Sequence, residues 1–400
     1  MIKKTTLLTL TFIAANLFVI ADSWTQKAPF PIQNRWQSVG FSIGNKGYLG
    51  TGTQGFSIMN DFWEYDPATD AWTQKADVGG HGRQEAVGFS IGNKGYICLG
   101  SGFGSDYQND VWEYDPGANT WTGKNNFPGL GRLHSTVFTI GNKAYLGGGT
   151  DSLSVVHTDF YEYNPATDTW TQKADMFERL EGAVGFSLSE YGYFCTGSDT
   201  LGYSTKLWQY NPNNNQWTVK ADLPATPRWE AVGFALCEKG YIGMGSSIND
   251  PADWWQYDPL TDAWSQKTSL LLPRYDAIAF VINNKGYMGT GDDSPYPNDW
   301  AEYNPDSACT IGIEELNEAI QFEIAPSVVH EYCSVQFNSA TTKNGITMKV
   351  TDVNGRLIFF QNNFSNKNFI RINTRDFTTG IYFVTIENES GSMTKKFIKD

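Results

Sequence analysis

Short runs of alternating apolar and polar side chains, broken by turn residues, set the pattern of this chain. Residues 84–91 alternate apolar with small or polar positions, as a half-buried strand does. Gly92-Asn93 then offers a two-residue hairpin turn, because both residues tolerate positive φ. Residues 94–100 form a second, more apolar strand. A polar loop leads to a third strand over 109–114, Asp115-Pro116 turns the chain, and residues 119–124 make a fourth strand carrying Trp121. One such sheet is partly apolar on both faces and cannot bury them alone, so it requires copies of itself.

The copies are present. The fourth-strand Trp recurs as Trp24, Trp72, Trp121, Trp170, Trp217 and Trp264, at spacings of 48, 49, 49, 47 and 47. A third-strand Tyr recurs as Tyr65, Tyr114, Tyr163, Tyr210, Tyr257 and Tyr303, each followed by Asp-Pro or Asn-Pro. A second-strand Tyr recurs from Tyr48 to Tyr287, and an Arg opens each unit at Arg35, Arg83, Arg132, Arg179, Arg228 and Arg274. A period near 50 with four short strands per unit predicts a β-propeller. The pattern resembles kelch repeats from Trp24 to about Pro305, although the kelch glycine pair is intact only at Gly148-Gly149. The expected fold is all-β: a six-bladed kelch-type β-propeller over residues 22–305, followed by a small C-terminal β-sandwich.

Two irregularities refine this. Residues 23–27 read as a fourth strand with no first three before it, and the last repeat has three strands and no fourth. The fragments complete one another, so the N-terminal strand should close the ring and leave no open edge. In repeat four, Arg179 precedes Val184 by five residues where the other repeats have four, so Gly182 reads as a bulge.

Beyond the repeats, residues 1–21 read as a secretion signal, with Lys3 and Lys4 before an apolar stretch too short to span a bilayer. No other stretch could cross as a helix, so the mature chain is expected to have no transmembrane segment. Residues 306–319 read as a linker. From residue 320 Trp is absent and Lys and Asn rise. Residues 346–361 form a hairpin about Asn354-Gly355, and residues 369–373 and 381–388 are further strands. The pieces Val350-Thr351-Asp352-Val353-Asn354-Gly355-Arg356 and Gly380-Ile381-Tyr382-Phe383-Val384, with the basic terminal strand, resemble the C-terminal sorting domain of type IX secretion cargo. That resemblance implies partnership with the type IX machinery, export across the outer membrane, and a secreted or surface location.

Net charge is −14, which argues against a nucleic-acid partner. Of the five Cys, Cys98 and Cys195 fall in apolar strands, Cys237 in a hairpin turn, and Cys309 with Cys333 is the one plausible pair. The four His (His81, His134, His157 and His330) show no metal-ligand spacing, and no nucleophile elbow or phosphate loop occurs. No catalytic set, metal or cofactor is legible. Some kelch propellers are copper oxidases and others sialic-acid-type mutarotases. The first need a crosslinked Tyr–Cys pair that these apolar-strand cysteines do not suit. The second need acids and bases near the central channel, and for those there are candidates.

Two residues after each repeat Arg stand Gln37, Glu85, His134, Glu181, Glu230 and Asp276. The innermost strand starts here, so these six are expected to ring the channel mouth and alternate with the Arg set; the neighbouring position adds Trp36, Trp229 and Tyr275. The structural alternative is that Arg–carboxylate pairs tie adjacent blades together. The loops 53–60, 101–108, 150–157, 198–205, 246–252 and 292–298 differ in every repeat and present Phe56, Phe103, Tyr107, Tyr203 and Tyr296 on that face. Exposed aromatic faces beside polar groups suit sugars. The sequence thus points to a propeller binding an extracellular glycan or protein. A sugar-modifying enzyme and a structural surface protein remain as alternatives; the enzyme would require a carboxylate or His with a shifted pKa in a water-poor pocket.

Overall fold

A computed structural model describes residues 22–306 and 322–400, apart from positions 105, 200, 271, 293–297, 326–327, 338–345, 354–355, 365–368 and 389–390. The expected signal segment, most of the linker, Tyr296, Cys309 and the Asn354-Gly355 turn lie outside the described residues. The chain divides into two compact units, within Met1–Cys309 and Thr310–Asp400.

The first unit is a six-bladed propeller. Its first blade runs outward from Val39–Ile43 through Lys46–Gly50 and Phe62–Asp66 to Ala71–Gln74. Four more blades repeat that antiparallel order, with inner strands Val87–Ile91, Thr136–Ile140, Val184–Leu188 and Val232–Leu236. The sixth consists of Ile278–Ile282, Lys285–Gly289 and Trp300–Asn304, with Ser23–Lys27 added as its outer strand. Trp24 lies opposite Tyr303, as Trp72 lies opposite Tyr65 in the first blade. The blades pack so closely near the axis that a Cβ on Gly95 would collide with the ring of Phe41 in the preceding blade.

The in-register Trp, Tyr and Asp/Asn positions form one device that holds each blade to the next. Trp72 Nε1 donates to the carbonyl of Ala28 at 3.1 Å, and Asp70 Oδ1 accepts both the Ala28 N–H at 3.0 Å and the Tyr65 hydroxyl at 2.7 Å. Trp121 with Asn119, Trp217 with Asn215 and Trp264 with Asp262 repeat the arrangement on Ala76, Ala174 and Ala221. At the closure the N-terminal strand supplies the same parts. Trp24 Nε1 donates to Thr268 O at 2.9 Å, and Asp22 Oδ2 accepts the Thr268 N–H at 2.7 Å and the Tyr303 hydroxyl at 3.0 Å.

The second unit is a β-sandwich. Phe322–Ala325, Tyr332–Phe337 and Phe369–Asn373 form one sheet. The other orders Val328–Val329, Gly391–Lys399, Gly380–Asn388, Ile346–Asp352 and Leu357–Phe364, with only its first pair parallel. Phe322, Val335, Met348, Val384 and Phe397 are among its buried core residues. Cys333 is free and fully buried in that core, so the expected Cys309–Cys333 bridge does not form. Cys237, on the blade-five turn, is instead disulfide-bonded, and Cys98 and Cys195 are free and buried.

Candidate functional site

At the start of each inner strand one residue takes a left-handed backbone conformation: Gln37, Glu85, His134, Gly182, Glu230 and Asp276, with φ between 50° and 60°. Their backbones are strung blade to blade. Glu85 N–H donates to Gln37 O at 3.0 Å, His134 to Glu85 at 3.3 Å, Gly182 to His134 at 2.9 Å, Glu230 to Gly182 at 2.9 Å and Asp276 to Glu230 at 3.3 Å. Glycine meets this conformation without strain, as in blade four. A side chain at such φ costs about 1 kcal/mol or more, so five of the six blades carry a polar side chain against the local backbone preference. Such outliers cluster at functional sites.

The ring walls a cavity of about 120 Å³ at the channel mouth. Further along the inner strands lies a cavity of about 230 Å³ lined by small residues such as Ala86, Gly88, Ala183 and Ala231. His134 sits between two carboxylates, with Nε2 3.0 Å from Glu85 Oε2 and Nδ1 3.6 Å from Glu230 Oε1. Gln37 donates to Glu85 through its amide. The Glu85 and Glu230 side chains are only 8% and 6% exposed. Burial opposes charge on His134, but the Glu85 hydrogen bond and the Glu85, Glu230 and Asp276 charges outweigh it and raise its pKa to about 9. Burial raises Glu230 to about 7, with His134 pulling the other way and Glu85, Glu181 and Asp292 adding to the rise. Asp276 is pushed well above the carboxylate range by burial and then by Glu230. Its Oδ2 is sealed from solvent and accepts no hydrogen bond.

Next to the ring, each preceding residue pairs with the variable loop of its own repeat: Trp36 with Thr53, Gln84 with Ser101, Leu133 with Thr150, Glu181 with Ser198, Trp229 with Ser246 and Tyr275 with Asp292. Ring and loops therefore share one face. Trp229 stacks on Tyr203 with centroids 6.0 Å apart and a 15° interplanar angle, and its other neighbour is the His134 ring at 5.3 Å. Tyr275 donates to Asp292 at 2.6 Å. Between the loops of blades one and two lies a groove of about 370 Å³, lined by Trp36, Phe56, Phe103 and Tyr107 among others. Phe56 is 99% and Phe103 70% exposed. Thr53 joins groove to ring, with its hydroxyl 3.3 Å from Gln37 Oε1 and 3.0 Å from Gln84 Oε1.

The arginines depart from expectation. Arg35, Arg83, Arg132, Arg228 and Arg274 do not line the mouth. Each is buried, holds an Asp of its own repeat (Asp61, Asp110, Asp159, Asp253 or Asp299) through two hydrogen bonds, and donates to a carbonyl 16 residues on. The pairs therefore brace single blades rather than tie neighbours. Beside the arginines the neighbours are joined through backbone as well, as where Gly52 N–H donates to Arg83 O at 2.7 Å.

Blade four corrects two further residues. Gly149 N–H donates to Leu180 O, so Leu180 occupies the Arg position and Arg179 is displaced to the exposed surface. Its Asp partner is also gone. Lys206 stands there and pairs with Asp222 at 2.8 Å. The ring member is accordingly Gly182, with no bulge, while Glu181 stands one position outward and accepts from Thr150 Oγ1. The extra residue before Val184 carries this information, and it is resolved only if the Arg is not used as the anchor. Among the described residues no group of three or more His, Cys, Asp or Glu could hold a metal ion. His81 pairs with Asp106 of the second blade's variable loop, His157 with Asp151 of its own loop, and His330 with Asp400 in the second unit.

Comparison with known proteins agrees with both units. Residues 131–177, which include the intact Gly148-Gly149 pair, match the Kelch motif, and residues 324–400 match the Secretion system C-terminal sorting domain. The sorting domain marks the chain for export through type IX secretion. No curated protein matches. Among solved structures, "Structure of YjhT" aligns with a TM-score of 0.58 at 16% identity, over 70% of this chain and 95% of its own. At that identity the likeness shows the fold, a kelch-type propeller.

Proposed function

We propose that this exported propeller binds a carbohydrate at the face where the left-handed ring meets the variable loops. The observation that supports this reading most is the ring itself. Gln37, Glu85, His134, Glu230 and Asp276 put hydrogen-bonding side chains at backbone positions that favour glycine, around one cavity, beside the stacked Trp229 and Tyr203. Aromatic faces receive the C–H faces of a sugar ring, and buried carboxylates accept from its hydroxyls. The Trp36, Phe56, Phe103 and Tyr107 groove extends the contact area for further residues of a chain. A glycan screen on the exported protein tests this. Trp229→Ala combined with Glu230→Gln is expected to abolish binding with the melting temperature kept, whereas changes at the Gly44-Asn45 and Asp66-Pro67 turns leave it unaltered. Loss of binding at those turns and not at the ring would place the ligand on the opposite face.

A second reading, a sugar-modifying enzyme, is favoured by one observation. Glu230, near 7, adjoins Asp276, which burial pushes well above the carboxylate range. Neighbouring carboxyl groups with raised pKa values suit proton transfer at a sugar. An acidic, sialic-acid-type substrate fits poorly, because its carboxylate would face Glu85, Glu230 and Asp276 while the five buried arginines are already held by aspartates. Accelerated exchange between sugar anomers, measured by NMR, would favour the enzyme over the binder.

A further inference from the structure

We propose that the ligand of the channel mouth carries a protonated amine, as an amino sugar does, and that Glu230 and Asp276 receive the ammonium. This rests on the glycan reading and narrows it to one class of sugar.

The first support is the unpartnered acceptor. Asp276 Oδ2 is sealed from solvent, accepts nothing, and belongs to a residue that lines the cavity. A buried acceptor left open is costly, so a ligand N–H that displaces the seal on entering the cavity and bonds to that acceptor recovers the loss. The second is the sign of the surroundings. The charged groups facing Asp276 are Glu230, Glu85, Asp292 and His134, and Glu230 also faces Glu181. Among the described residues of the site, five carboxyl groups thus stand against one imidazole. The third is the aromatic pair of Trp229 and Tyr203 beside the ring, in which Tyr203 is 41% exposed, since ammonium groups are attracted to such rings. Among the described residues the charged groups form no cluster that could hold a metal ion.

The carboxyl groups of the ring link binding to pH. Burial pushes Asp276 well above the carboxylate range and raises Glu230 to about 7. An incoming ammonium favours the ionised carboxylates and lowers both pKa values. Binding therefore expels protons at a pH where the amine is charged and the carboxyls are not, and affinity rises as pH climbs toward Glu230's pKa of about 7.

The test compares glucosamine oligosaccharides with their fully N-acetylated counterparts on the exported chain. Titration calorimetry at about pH 6 is run in two buffers of different ionisation enthalpy. The expected result is binding of the glucosamine oligomer about tenfold tighter than its N-acetylated form, with protons released only on binding the former. Asp276→Asn is expected to remove both the preference for the glucosamine oligomer and the proton release that accompanies its binding. Glu230→Gln is the second variant should the first fail to fold. Equal or tighter binding of the N-acetylated oligomer, or amino-sugar binding without proton release, overturns the proposal and leaves the glycan reading standing. If neither these nor any other glycan binds, both fall together.

Discussion

Arg83 is sealed from solvent, and its guanidinium reaches Asp110 through hydrogen bonds of 2.7 and 2.9 Å. Replacing it with Met would leave Asp110, whose side chain is 32% exposed, without its counter-charge. Breaking such a partly buried, doubly hydrogen-bonded pair costs about 1–3 kcal/mol. Arg179 lies exposed, and Arg179→Ala should change stability by less than about 0.5 kcal/mol. Urea midpoints of the two variants check this, and equal shifts would refute the assignment of Leu180 to the Arg position. The same pair of residues shows the limit of what the sequence displays. Five arginines mark the buried position because an Asp follows each by 25 to 27 residues. Arg179 has Lys206 where that Asp would stand, and reading the Arg without its partner shifts blade four by one residue. The ring of φ values was not legible at all. Glu and Asp give no sign of a left-handed backbone, and only Gly182, once in register, names the conformation shared by the other five.

At the scale of the strand, Ser23–Lys27 carries more than its length suggests. It pairs residue for residue with Trp300–Asn304. It also brings Trp24 against Trp254 at 5.4 Å and Tyr303 at 5.0 Å, and lets Asp22 hold Thr268. This closure was legible because a fourth strand without a blade at one end matched a blade without a fourth strand at the other. The blade-to-blade role of the Trp was not, because it depends on an indole N–H meeting a carbonyl more than 40 residues away. Deleting residues 22–27 removes one Trp clamp, one aspartate cap and an entire strand ladder, and it bares the apolar edge of the sixth blade. The truncated chain is expected to melt at a markedly lower temperature and to aggregate through that edge. A truncation with an unchanged melting temperature would show that the ring is held by its other seams alone.

At the scale of the whole chain, the two units do different work with separate cores. The propeller buries its aromatic residues between its own blades, and the C-terminal sandwich buries Phe322, Met348, Val384, Phe397 and their neighbours among themselves. Strands Gly380–Asn388 and Gly391–Lys399 lie inside the five-stranded sheet, paired on both sides. Removing residues 380–400 therefore deletes the middle of that sheet and half of the resemblance to sorting domains, while no propeller strand loses a partner. The truncated protein is expected to reach the periplasm, keep its propeller folded and its ligand affinity intact, and fail to appear outside the cell. Fractionation of the native host, with ligand binding measured on the retained protein, checks both halves. Normal surface delivery of the truncation would separate this domain from export. Retention accompanied by lost binding would mean that the second unit contributes to the ligand site.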